Sequence, residues 1–208
     1  MQTQLKRGII VSIQGYHYRT IAELASEALS ANCIGLRLDK KPTRSGGWPV
    51  PIIGLKKIKV IDVKQHAFIT PSVAHVEEVS AWADLVSVDY REINPDLLAV
   101  SKYCRDNKIE VVADIQTYED FARIKEHGLF YSWIATTLSV LEKKNLFTPD
   151  LKLIAKIALE ESRLIAEGNF SSRRDVKAAY DAGAHCVCIG GAISNVYKLT
   201  KKYTSVPI

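Results

Sequence analysis

The 208-residue chain has only four cysteines, one methionine and three tryptophans. Cys33, Cys104, Cys186 and Cys188 form no C-x-x-C pair and have no histidine at zinc-ligand spacing. This argues against a structural zinc site and against the disulfide framework of a small secreted domain. Three of the four lie in or beside apolar runs, where a free cysteine serves as a small buried apolar residue in a reducing compartment. No apolar run approaches the length of a membrane span, and the one near the N-terminus is too short for the core of a signal peptide. A cytoplasmic protein with no membrane partner is expected. Charge of one sign is also scarce. Lys and Arg number 28 against 23 Asp and Glu, a balance of +5 that is spread along the chain. A nucleic-acid footprint wants a clustered basic face, so no nucleic-acid partner is expected. The five histidines, His17, His66, His75, His127 and His185, show no metal-ligand spacing, and a serine-nucleophile elbow and a Cys-His pair are both missing. No metal is expected.

What the chain has is rhythm. Eight apolar, β-branched runs end at polar or glycine residues: Gln14, Arg37, Lys57, Asp89, Asp114, Thr136, Glu167 and Gly190. The runs are GIIVSIQ, CIGLR, PIIGLKK, DLVSVD, EVVADI, SWIATT, RLIAEG and HCVCIGG, continuous in the way of strands buried on both faces. Helical segments separate most of them. A βα unit repeated eight times predicts an α/β fold, a compact (β/α)8 TIM barrel covering residues 1–208 as one domain. Its length sits at the short end of the roughly 200 to 250 residues typical of such barrels.

Helix starts are marked by chemistry. Thr20 to Glu23, Thr117 to Asp120 and Ser172 to Asp175 have capping-box spacing, and Asn94-Pro95 and Thr148-Pro149 place a cap residue before a proline tolerated at the first helical position. The spacing predicts helices over 20–31, 72–82, 94–107, 117–127, 149–161, 172–182 and 193–203, with Gly128 and Gly183 closing two of them. Residues 38–54, with three prolines and three glycines but no 3.6 period, predict a loop in place of the helix after the second strand. Trp48 in that loop is expected to pack within the monomer.

In such a barrel, chemistry collects at the carboxyl ends of the strands. The loops after the seventh and eighth runs carry Gly168, Asn169, Gly190 and Gly191, where backbone N–H groups and a following helix N-terminus suit a phosphate. Arg37, Lys57, Asp89, Asp114 and Glu167 end strands and are candidates to converge over the mouth, where an amine and a carboxylate at close range perform proton transfer. Gln14, Thr136 and Thr137 end strands too and are candidate substrate contacts. Lys56 competes with Lys57, because only one of two adjacent strand residues points inward.

The ordered strings VSIQ, IGLR, IIGLKK, FITP, SVD, ADIQT, ATTLS, IAEGN and IGGAIS, spread over nearly the whole chain, resemble the N-acetylmannosamine-6-phosphate 2-epimerase family. The resemblance implies an isomerase of sialic-acid catabolism that inverts C2 of an N-acetylated amino-sugar 6-phosphate without a cofactor. It implies Lys57 and Glu167 as catalytic residues, Gln14, Arg37 and Asp114 as substrate contacts, and Gly168, Gly190 and Gly191 as phosphate loops. It also implies a homodimer. The chain departs from the family pattern at Ser194-Asn195, where the family carries a threonine and an arginine near the phosphate. Other departures are Asp89-Tyr90-Arg91 after the fourth run, the stretch around Val140 and Leu141, and the eroded second helix. Two further readings stay open: a related barrel enzyme acting on a different sugar phosphate, and a non-catalytic sugar-phosphate-binding relative.

Overall fold

The computed structural model describes residues 4–42, 47–59, 67–138 and 148–204. Eight parallel strands close into a barrel: β1 (Gly8–Ile13), β2 (Gly35–Leu38), β3 (Ile52–Gly54), β6 (Leu85–Asp89), β7 (Val111–Asp114), β8 (Trp133–Ala135), β9 (Leu164–Glu167) and β10 (Cys186–Ile189). Around the ring the order is β1-β10-β9-β8-β7-β6-β3-β2, so each strand lies beside its neighbours in sequence and β10 returns to β1. The two remaining strands, β4 (Lys57–Lys59) and β5 (Ala67–Ile69), form an antiparallel hairpin apart from the ring.

Continuous apolar runs are what a two-sided environment requires. Ile10, Ile53, Leu85, Val112, Trp133, Ile165 and Cys186 pack together as one cluster inside the ring. Their strand neighbours, among them Val86, Val111, Ile134, Leu164 and Val187, pack outward in a second cluster with the helices. Those helices are α1 (Tyr18–Ser30), α2 (Val73–Ser80), α3 (Leu97–Asp106), α4 (Tyr118–Glu126), α5 (Leu151–Ala158), α6 (Arg173–Asp181) and α7 (Val196–Thr204). Among the described residues no helix joins β2 to β3, and none is long and apolar enough to cross a membrane. Trp48, in the β2–β3 connection, packs partly buried against the cluster of Ile13, Ile21 and Leu36.

Thr117 and Asp120 form the expected reciprocal capping box of α4, and Ser172 caps α6 by accepting from the Asp175 N–H. Gly128 and Gly183 follow α4 and α6 with positive φ. Four helix starts differ from expectation, and the last of them is α7, which begins at Val196 and not at 193. α1 begins at Tyr18 after His17, without a side-chain cap, so Thr20 lies inside the helix. Asn94 does not open α3: its side chain donates to the Asp89 carbonyl and accepts from the Asp96 N–H, and Asp96 occupies the N-cap position. Asp150, not Thr148, caps α5. The third apolar run is not one strand through Lys57. β3 stops at Gly54, the Leu55 N–H makes a last bond to the Leu38 carbonyl, and the chain then pairs Lys57 with Ile69 in the hairpin.

Candidate active site

Side chains alternate along a strand with a period of two, so residues two beyond the inner apolar cluster form the next layer towards the carboxyl ends. From Ile10, Leu85, Val112 and Ile165 this step gives Ser12, Ser87, Asp114 and Glu167; from Gly35, opposite Ile10, it gives Arg37. Apolar filling therefore changes to a polar floor at one level of the barrel.

Arg37 is the centre of that floor. Its Nη2 donates to Asp114 Oδ2 at 2.8 Å and to Ser87 Oγ at 2.9 Å, while Nη1 donates to Glu167 Oε1 at 2.8 Å. Arg37 is 2% exposed, and a charge so deprived of water persists only when paired and hydrogen-bonded. Its Nε is buried without a hydrogen-bond partner among the described residues. Ser87 Oγ donates to Asp114 Oδ2 at 2.6 Å. Thr137 Oγ1 lies 2.6 Å from Asp114 Oδ1 and 3.1 Å from Glu167 Oε2. Two carboxyls thus share one guanidinium, and the Glu167 side chain retains 13% exposure while that of Asp114 has none.

Burial, augmented by the charge of Glu167, lifts Asp114 from 3.8 to about 6 against the opposing pull of Arg37 and the hydrogen bonds from Ser87 and Thr137. Burial also pushes the Cys188 thiol well above its ordinary range, helped by the adjoining Glu167 carboxylate, so it faces the cluster as a neutral group. The rise at Asp114 has a consequence for stability. A carboxyl whose folded pKa lies above its unfolded one makes the native state bind the extra proton, so its contribution is complete below 3.8 and is lost as pH climbs through about 6. Urea denaturation across that interval is expected to show this loss, and the Asp114→Asn variant to lack it.

Lys56 and Lys57 have different surroundings. Lys56 Nζ pairs with Glu78 on α2, in the outer helical layer. Lys57, beyond the break after Gly54, belongs to the hairpin and not to β3. It is cross-strand partner to Ile69, which packs with Leu55 and Leu138, and its side chain is exposed. Gln14 is half-buried at the end of β1, its Nε2 donating to Ser12 Oγ at 2.7 Å. Thr136 is tied to the β9 backbone, its Oγ1 donating to the Glu167 carbonyl and accepting from the Glu167 N–H, both at 3.0 Å.

Asp89 is not part of this cluster. It lies opposite Asp114 in the β6–β7 register, and the two adjacent buried carboxylates are neutralised separately. Arg91 donates to Asp89 through Nε at 2.9 Å and Nη2 at 2.6 Å, and its guanidinium stacks over Phe68. The glycine loops lie beyond β9 and β10. Gly168 has φ +113° and Asn169 φ +57°, so the chain turns left-handed immediately after Glu167. At Gly190 an added Cβ would come within 3.3 Å of Ser12 Cβ, so glycine there lets the last strand end close against β1. Ser194 Oγ donates to the Ser12 carbonyl at 2.7 Å, which ties this loop to β1. The stretch around Val140 and Leu141 lies outside the described residues. Among the described residues no group of three or more His, Cys, Asp or Glu is placed to hold a metal ion.

Ser87 had no place in the sequence reading, and Cys188 entered it only as a small buried apolar residue. Ser87 carries a usable signal, as a hydroxyl two residues before a strand-end acid in an otherwise apolar run.

A family model described as "Putative N-acetylmannosamine-6-phosphate epimerase" matches residues 21–206. A protein of Clostridioides difficile (strain 630) named "Putative N-acetylmannosamine-6-phosphate 2-epimerase" is 27% identical over 225 residues, covering 98% of this chain and 97% of its own length. A Yersinia pestis protein of the same name is 30% identical over 209 residues, covering 94% of this chain and 88% of its own. Among solved structures, the N-acetylmannosamine-6-phosphate 2-epimerase of Clostridium perfringens superposes with a TM-score of 0.82 at 22% identity, covering 98% of this chain and 94% of that one. A 3-hexulose-6-phosphate synthase superposes with a TM-score of 0.62 at 16% identity, covering 96% and 99%. These two structural likenesses bear on the fold.

Proposed function

Since the chain belongs to the N-acetylmannosamine-6-phosphate epimerase family, we propose that it inverts C2 of an N-acetylated amino-sugar 6-phosphate, taking N-acetylmannosamine 6-phosphate to N-acetylglucosamine 6-phosphate. The observation that carries the mechanism is the gathering of Asp114 and Glu167 on the buried Arg37 at the carboxyl ends of the barrel strands. In the open-chain sugar C2 adjoins the C1 aldehyde, so its proton becomes acidic once the carbonyl is polarised. Lys57 removes that proton from one face and a proton returns on the other. Glu167, the carboxyl that retains an exposed edge, orients or recharges the amine. Arg37 acts on the developing enolate through its field, because Nη1 and Nη2 are already committed to the carboxyls and to Ser87. Gln14 supplies a neutral donor at the end of β1. Phosphate is held by the backbone after β9 and β10, at Gly168, Asn169, Gly190 and Gly191. No cofactor enters.

A second reading, the same chemistry on another sugar phosphate, is favoured by one feature. Asn195 stands where the family pattern has an arginine, and a lost charge-assisted phosphate contact costs about 1.5 to 3 kcal/mol. Proton NMR of the purified protein in D2O separates these readings. With N-acetylmannosamine 6-phosphate the first expects epimer carrying deuterium at C2. Turnover with another sugar phosphate only would establish the second, and binding without exchange would contradict both.

A further inference from the structure

We propose that Thr137 is a proton bridge joining Asp114 to Glu167, so that the two carboxyls hold one proton in common and exchange it through the threonine hydroxyl. The inference rests on the proposed action of Glu167 at the substrate, and assigns to Asp114 and Thr137 a role other than substrate contact.

The geometry divides the four carboxyl oxygens into two sets. Arg37 takes one from each acid, Asp114 Oδ2 and Glu167 Oε1, both at 2.8 Å. Thr137 Oγ1 spans the other two, Asp114 Oδ1 at 2.6 Å and Glu167 Oε2 at 3.1 Å. A threonine hydroxyl has a single hydrogen and donates to one acceptor at a time. With both carboxyls ionised, one of these approaches would set a lone pair against an anionic oxygen in a buried place. One added proton satisfies both: a protonated Asp114 Oδ1 donates to Thr137, and Thr137 donates to Glu167. The mirror arrangement, with Glu167 protonated and Asp114 accepting from Thr137, is equally saturated.

The two arrangements interconvert without any proton leaving the cluster. The O–H bond at Asp114 Oδ1 breaks as its proton joins Thr137 Oγ1, and the original threonine hydrogen moves to Glu167 Oε2. Negative charge passes from Glu167 to Asp114, and threonine ends as it began. Cluster charge is unchanged, which matters where burial makes any uncompensated ion costly. Asp114, fully shielded, is the store; Glu167, with its exposed edge, is the outlet. Among the described residues, Arg37 from β2 and the Cys188 thiol from β10 act on this pair, and Asp89, held by Arg91, lies opposite Asp114 in the β6–β7 register. The rise of Asp114 to about 6 agrees with a carboxyl that keeps its proton close to neutrality.

Infrared spectroscopy of the substrate-free protein tests the bridge apart from any assumption about the sugar. At pH 6 the unaltered protein is expected to show a buried protonated-carboxyl band. Both Asp114→Asn and Glu167→Gln should abolish it, because either leaves one carboxylate alone with Arg37. A missing band, or one that survives both substitutions, would overturn the proposal. Kinetics add a second arm. Thr137→Val, which keeps shape and removes the hydroxyl, should lower kcat about 100-fold, with KM little changed and the pH profile displaced. Thr137→Ser should restore the profile and bring kcat within about threefold of the parent. Equal losses in both variants with an unmoved pH profile would show a packing role and refute the bridge. Should the unaltered protein fail to epimerise, the functional reading would fall while the infrared result still decided the bridge.

Discussion

The Lys57→Ala variant is expected to lose about a thousandfold in turnover and, in the same proportion, the incorporation of solvent deuterium at C2. The amine is the proposed carrier of the C2 proton, and alanine offers nothing that can accept it. Because Lys57 is exposed, at the first position of the hairpin, the change removes little packing, and melting temperature should barely move. Lys56→Ala supplies the control. Its ion pair with Glu78 is substantially exposed, a kind worth between nothing and about 1 kcal/mol, and turnover should stay near that of the parent. Equal losses in the two variants, or a fully active Lys57→Ala, would remove Lys57 from the mechanism.

Arg37→Met is expected to be the most damaging substitution for the fold. It deletes the cation that bonds both Asp114 and Glu167 and leaves two carboxyls facing each other in a site largely closed to water. Removing one partner from a buried ionic cluster typically costs about 3 to 5 kcal/mol, a large part of the stability of an ordinary domain. Urea denaturation should show that loss at neutral pH and a smaller one in acid, where a protonated carboxyl relieves the repulsion. Activity should fall together with stability. Arg37→Lys should rescue little, since an ammonium cannot reproduce the planar fork that reaches Asp114, Ser87 and Glu167 at once. A melting curve unchanged by Arg37→Met would mean that the cluster contributes nothing to the barrel.

The barrel was legible in the sequence because its strands are buried on both faces, which imposes unbroken apolar runs, and because several helices announce themselves through side-chain caps such as Thr117 and Ser172. Legibility stopped where a side chain had a use elsewhere. Asn94 resembles a cap residue, yet its amide is spent on the Asp89 carbonyl five residues back. Thr20 has the spacing of a capping box, but α1 starts earlier without any side-chain cap. In PIIGLKK the apolar pattern cannot reveal that the chain leaves the ring after Leu55, because a barrel strand and a hairpin strand share one local signature.

The same distinction applies to the site. Arg37, Asp114 and Glu167 stood out as single charges ending apolar strands, and the fold unites them. Asp89 carries an identical signal, but Arg91 two residues later folds back onto it, an event governed by side-chain rotation that spacing does not encode. Cys188 read as core because it is a small neutral residue inside an apolar run, and the hydroxyl of Ser87, two residues before Asp89, was passed over. Their importance comes from the level of the barrel at which they lie. The outward position of Lys56 likewise needed the position of Glu78 on α2.

A crystal structure of the protein with N-acetylglucosamine 6-phosphate bound tests the central claim most directly. The account predicts phosphate on the backbone of the Gly168 and Gly190 loops, the Lys57 amine about 3 to 3.5 Å from C2, and the open edge of Glu167 facing the same carbon. A sugar bound with C2 turned away from Lys57, or with its phosphate elsewhere on the barrel, would contradict it.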